Sequence, residues 1–191
     1  MKLICSIGDI MKINVFKGSM IILMVLLFLV SVTAVSSADN NTDISILTLS
    51  KGGITIQYPS DWGDSQATSN YSVMAISKIS SVDGLGIGKI NINIEKKPFE
   101  GEFGSFVNET YDKMKRDSSY NLVSSGSVVV GDKEAYEYVY TSTQGTGEKE
   151  HKAIWFEKGG QAYVIMYSAP ISDFEDNLYV FDFVLSNIQI N

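Results

Sequence analysis

His151 is the only histidine of the chain and stands in Glu148-Lys149-Glu150-His151-Lys152, at a loop-to-strand junction. An imidazole is a common general base at neutral pH, and Glu134, Glu137, Glu148, Glu150 and Glu157 supply carboxylates for acid–base work. A nucleophile is harder to find. The single cysteine, Cys5, lies far upstream, no serine sits in a nucleophile-elbow pattern, and one histidine does not make a triad. Flanked by charges of both signs, His151 reads as an exposed, solvated side chain. The glutamates become chemistry only where a fold gathers them in a cleft, and the sequence names no such place. No catalytic residue is assigned.

Three further motifs have chemical readings. Gly84-x-Gly86-x-Gly88 suggests a nucleotide loop, but it lacks the dinucleotide fingerprint's third-glycine spacing and a lysine-serine or lysine-threonine ending, and it leads into a strand. It reads as a flexible hairpin connection. Asp173, Glu175 and Asp176 crowd a helix start, where carboxylates already suit the dipole, and the glycine-punctuated spacing of a calcium loop is missing. No metal or cofactor is therefore expected. Asn40-Asn41-Thr42, Asn70-Tyr71-Ser72 and Asn108-Glu109-Thr110 are acceptor sequons for N-glycosylation.

Composition narrows the partners. Arg116 is the only arginine and the lysines are dispersed, so no basic run offers itself to nucleic acid. Beyond Cys5 there is no thiol, which excludes disulfides, thiol catalysis and zinc–thiolate sites from everything after it.

The start of the chain bears on where it works. Met20–Val30 is an unbroken apolar run preceded by Lys12 and Lys17, and small residues follow at Ser36-Ser37-Ala38, the layout of a secretory signal peptide over residues 1–38. Met11 is a second candidate initiator. The competing reading is an uncleaved anchor through Met20–Val35, which would be the protein's only contact with a membrane. Cleavage after Ala38 leaves about 150 of the 191 residues, enough for one domain with a core. It also removes three lysines and one aspartate, making the remainder more acidic than the whole chain's −7. Residues 39–43 read as a polar tether, and 44–191 as a single domain.

What must position any site is a sheet. In Glu134–Thr141, Tyr136, Tyr138 and Tyr140 point one way and Ala135, Glu137 and Val139 the other, and Gln161–Tyr167 repeats the alternation. Gly131-Asp132-Lys133 and Lys158-Gly159-Gly160 read as hairpin turns. Strands are also expected over Ser45–Leu49, over Ile54–Tyr58 up to Pro59, over Tyr71–Ile79 and Gly86–Glu95, and briefly over Ser186–Ile190. In Gly86–Glu95, Ile90, Ile92 and Ile94 alternate with Asn91, Asn93 and Glu95, which predicts one wet face. Phe103, Phe106, Val107, Thr110 and Met114 fall at helical spacing, with Tyr111 on the flank. A second helix opens at Ser172 in a capping box with Glu175, its inward stripe being Phe174, Leu178, Phe181 and Leu185. A sheet apolar on both sides with one helix before its central strands and one after them predicts an α/β/α sandwich, a central antiparallel sheet covered by helices on both faces.

The order of parts resembles the PsbP-like family. The residues that carry the resemblance are G-I-T-I-Q-Y-P-S-D-W, a helix, G-D-K-E-A-Y-E-Y-V-Y, K-G-G-Q-A-Y-V-I-M-Y-S-A-P, and a closing helix ending F-V-L-S-N-I-Q-I, together spanning Ile44 to Asn191. The resemblance implies an α/β/α sandwich. Plant members are extrinsic subunits on the lumenal side of photosystem II, whereas distant bacterial and archaeal members are exported proteins of mostly unknown role. One histidine, one arginine and a negative charge do not match the basic docking clusters of the plant members.

These readings converge on an exported, non-enzymatic accessory or binding module at the cell surface with a protein partner. Tyr58, Trp62 and Trp155 are the aromatic contacts it suggests, although Trp62 also reads as a core plug. The alternatives are a small extracytoplasmic enzyme using carboxylates or His151, and a structural cell-surface glycoprotein.

Overall fold

The computed structural model describes residues 44–67, 69–144 and 147–191. The signal peptide or anchor over 1–38, the tether over 39–43 and the sequon at Asn40 lie outside them.

Strands β1 (Ile46–Lys51) and β2 (Ile54–Pro59) form the first hairpin and, with the short β10 (Gln189–Ile190), a three-stranded sheet of order β1-β2-β10. The others are β3 (Trp62–Asp64), β4 (Ser72–Lys78), β5 (Asn91–Pro98), β6 (Asn121–Val130), β7 (Lys133–Gln144), β8 (Gly147–Lys158) and β9 (Gln161–Pro170). They make a seven-stranded sheet of order β3-β4-β5-β9-β8-β7-β6. All its pairings are antiparallel. The hairpin turns fall where glycine predicts them: Gly131 has φ 64, and Gly159 and Gly160 have φ 59 and 71, a region that costs a residue with a Cβ.

Two helices are described, α1 (Phe103–Met114) between β5 and β6 and α2 (Ile171–Asn187) after β9. Alternation along β8 and β9 sorts the core into two clusters. Ala153, Trp155, Ala162 and Val164 pack with Val107 and Tyr111 of α1, and Tyr138 and Tyr140 of β7 join them. Ile154, Phe156, Tyr163, Ile165 and Tyr167 pack with Phe174, Val180, Phe181 and Val184 of α2 and with Ile54, Ile56 and Tyr58 of β2. Helical cover is incomplete, since β6 is exposed along most of its length. The expected sandwich with both faces covered by helices therefore stands only in its coarser form, a mixed α+β chain of antiparallel sheets and two helices. The sequence also did not separate β1, β2 and β10 into their own sheet, because alternation marks a strand and not its neighbours.

The predicted apolar stripes of both helices pack inward, but the centre of each buried side is shifted. Tyr111 is the centre of α1's buried side, stacked on Tyr138 with ring centroids 3.6 Å apart. Glu102 caps α1 by accepting from the Gly104 and Ser105 amides at 2.8 and 2.6 Å, and those bonds hold its pKa below the usual carboxylate value. The capping box at Ser172 is not formed. The helix already begins at Ile171, Pro170 is its N-cap, and the Ser172 hydroxyl bonds Asp173 instead. Asn177, Val180 and Val184 join Phe174 and Phe181 as the buried side, while Leu178 and Leu185 are partly buried.

Candidate functional site

His151 sits opposite Tyr140 of β7 on one side and Ser168 of β9 on the other, so the three share one sheet face. Its ring stacks on Tyr140 at 4.7 Å, Nδ1 lies 2.8 Å from the Ser168 hydroxyl, and Nε2 lies 2.9 Å from the Ser142 hydroxyl. The side chain is 3 % exposed, which corrects the expectation of a solvated histidine. The charged neighbours mislead because β8 runs as a central strand through this segment, and position 151 falls on its covered face.

Burial, reinforced by the nearby Lys149 ammonium, pushes the His151 pKa down to about 4. The imidazole is then neutral at pH 7, with one N–H and one lone pair, so one serine accepts from the ring and the other donates to it. Among the described residues no carboxylate is bonded to the ring. A base this weak is poorly matched to removing a serine proton at neutral pH, and Ser168 lies within β9, paired on both sides, not at an exposed elbow. Both ring nitrogens are thus satisfied, and Ser142, His151 and Ser168 form a hydrogen-bond node that ties β7, β8 and β9 together.

Next to it runs a polar row on β5. The Ser72 hydroxyl donates to Asn93 Oδ1 at 2.7 Å, Asn93 Nδ2 donates to Glu95 Oε1 at 2.9 Å, and Glu95 Oε2 meets Lys97 Nζ at 2.7 Å. Lys97 in turn lies 5.4 Å from the ring centres of Tyr71 and Trp155. Asn93 and Glu95 are buried, which corrects the wet face predicted for them. Their polarity is satisfied by neighbours and not by water, a distinction that alternation cannot make. Asn91, Asn93, Ser77, Lys149, His151 and Ser168 border a small cleft of about 110 Å³.

A larger cleft of about 350 Å³ opens at the other end of the sheet. Phe156, Leu185, Ile188 and Ile190 line it together with Val129 to Lys133 and Lys158, and the Lys158 ammonium donates to the Ile190 carbonyl. Sequence reasoning missed it. Its walls come from the β6–β7 turn, the end of β8, the last turn of α2 and β10, segments that no local pattern links.

The other predicted residues disperse. Tyr58, Trp62 and Trp155 are all in the interior at 7, 1 and 4 % exposure, so the expectation of partner contacts at Tyr58 and Trp155 is corrected to core packing, and of the two readings of Trp62 the core plug is the one the structure shows. Trp155 donates from Nε1 to the Tyr111 hydroxyl at 2.9 Å. None of Glu134, Glu137, Glu148, Glu150 and Glu157 lines either cleft. Glu137 pairs with Lys152 at 3.2 Å, and Glu150 has its pKa raised by burial and then by the Glu175 charge. Asp173 and Glu175 lie in the opening turns of α2. Asn70 is exposed in a turn, and Asn108 is exposed on α1 while its Oδ1 accepts from the Tyr138 hydroxyl at 2.8 Å.

Comparison with known proteins follows the fold more than any site. No curated protein sequence matches the chain. Among solved structures, cyanobacterial PsbP (CyanoP) from Synechocystis sp. PCC 6803 superposes with a TM-score of 0.55 at 14 % identity, covering 78 % of this chain and 94 % of its own. LpqN, described as involved in cell envelope biogenesis of Mycobacterium tuberculosis, superposes with a TM-score of 0.53 at 11 % identity, covering 79 % of this chain and 93 % of its own. At such identities the likeness is one of fold. The sequence profile of the PsbP-like proteins matches residues 30–185, most of the chain, and with the shared fold it establishes that this chain belongs to the PsbP-like protein family.

Proposed function

We propose that the protein is an exported, non-enzymatic PsbP-like domain that serves as an accessory or binding module at the cell surface. The observation that carries this reading is the larger cleft. Phe156, Leu185, Ile188 and Ile190 make its lining largely apolar, Lys133 and Lys158 add positive charge, and its one carboxylate, Asp132, has no histidine or second carboxylate beside it. Such a lining suits recognition of a partner's apolar side chain with an acidic neighbour, and it lacks the paired acid and base that turnover needs. Export is supported by the signal-like residues 1–38 and by the envelope role stated for LpqN. The small-enzyme reading loses its best base with the neutral, saturated His151. A structural cell-surface glycoprotein keeps one favourable observation, the exposed sequon asparagines Asn70 and Asn108.

The test is site-specific photo-crosslinking in intact cells, with the reactive side chain at Lys133 beside the cleft and, as the control, at Ser105 on α1. One dominant adduct at Lys133 that is missing at Ser105 supports the binding role. Equal background at both positions overturns it.

A further inference from the structure

β6 is the outermost strand of the seven-stranded sheet, paired with β7 along one edge and with no described strand along the other. The outer edge of any strand carries a row of N–H and C=O groups able to pair with another chain, and proteins usually blunt it with lysine, proline or brevity. β6 uses none of these. It is ten residues long, NLVSSGSVVV, with no charged residue and no proline. Val128 and Val130 are partly buried against the core, but the strand's other apolar side chains are left largely in water, with Val123 55 % and Val129 72 % exposed. The one edge-protecting device is a bulge between Leu122 and Ser124, which leaves Ser124–Val130 regular.

The strand is also complementary to itself. Two copies related by a twofold axis can join antiparallel only in a register where one residue faces its own counterpart, because paired residues must share a sheet face. With Gly126 on that axis, Ser125 faces Ser127 of the second copy and Ser124 faces Val128, while Val129 lies beyond this regular pairing, beside the bulge at Val123. Small side chains meet at the centre, and Val128 closes each flank of the regular pairing against Ser124 of the other copy, so nothing bulky or charged opposes close approach. No charge meets a like charge along the seam, although the chain as a whole carries −7. A foreign strand would find no charge on β6 to select its register, whereas the strand's own pattern selects one.

We propose that β6 is the seam of a symmetric dimer in which the seven-stranded sheets of two copies of this chain join edge to edge. The dimer stands independently of the binding role proposed above. Its cleft and this seam use different surfaces except around Val129 and Val130.

A cysteine on the axis reads the seam directly. Nothing lies within 4 Å of a Cβ built at Gly126, so Gly126→Cys is sterically tolerated. In the full chain carrying Cys5→Ser, Gly126→Cys under mild oxidation should give a reducible species of twice the mass. Tyr179→Cys on the exposed face of α2 serves as the collision control. Adding Ser127→Lys, or separately Val129→Lys, at positions already exposed, should reduce the crosslinked fraction by about tenfold by setting lysines near the seam. Crosslinking at Gly126→Cys no greater than at Tyr179→Cys overturns the dimer. So does a yield that neither lysine lowers.

Discussion

Replacing His151 with glutamine keeps a hydrogen-bonding side chain between Ser142 and Ser168 and removes the titration, so the pH dependence of stability isolates what burial does to this residue. The folded pKa of about 4 lies below the ordinary value of 6.5. Between those values the unfolded chain binds the proton more readily than the folded one, so acid favours unfolding. The histidine's contribution is complete above pH 6.5, declines as pH falls, and is exhausted near pH 4. With about 1.4 kcal/mol for each pH unit of the interval, the full span is about 3 kcal/mol. Equilibrium urea unfolding followed by the fluorescence of the buried Trp62 and Trp155 measures it at several pH values between 7 and 4, and the quantity to plot is wild type minus His151→Gln. Subtraction cancels the carboxylates, which titrate in both chains. The difference should fall by about 3 kcal/mol from pH 7 to pH 4, with the slope confined to that window. A flat difference would mean that His151 titrates in the folded state as it does in the unfolded one, and a slope of opposite sign that the fold favours its protonated form; in either case the hydrogen-bond node described here would be wrong.

Other expectations follow from the same geometry. Tyr111→Phe removes the acceptor of the buried Trp155 N–H and should lower stability by about 1–3 kcal/mol in urea unfolding; an unchanged midpoint would show that the indole finds another acceptor. Gly88→Ala drives a Cβ into the side chain of the buried Ser77 and should cost about 1–3 kcal/mol, whereas Gly84→Ala, with nothing within 4 Å, should stay within about 0.5 kcal/mol. Equal thermal midpoints for these two variants would refute the close approach at Gly88. If the amino-terminal segment is removed on export, sequencing of the secreted protein should begin at Asp39, and an intact amino terminus in the membrane fraction would establish the anchor instead.

Much of the fold is legible residue by residue. The β6–β7 and β8–β9 hairpins are written in Gly131, Gly159 and Gly160, because each reversal needs a positive φ that few other residues adopt. The shared face of Tyr136, Tyr138 and Tyr140 follows from a period of two alone, and α1 and α2 from apolar residues at helical spacing. The misreadings have a common cause. Glu148, Lys149, Glu150 and Lys152 argue for water around His151, and Asn91, Asn93 and Glu95 argue for a wet strand face. In both cases polar side chains satisfy one another in the interior. Hydrophobicity records what a side chain prefers to leave, and it says nothing about which partners are waiting.

From its sequence alone, then, this protein has its two helices and its strands apart from the short β3, its hairpins, its lack of thiols beyond Cys5 and its membership of a family defined by packing motifs, since each depends on local geometry or composition. The division of strands into two sheets, the burial of Trp62 and Trp155, the neutral His151 between two serines, the cleft walled by Phe156, Leu185 and Ile190, and the bare outer edge of β6 belong to the tertiary structure. Each depends on which distant segments become neighbours, and that is decided by the joint packing of the whole core, where no single stretch of chain holds enough information to choose.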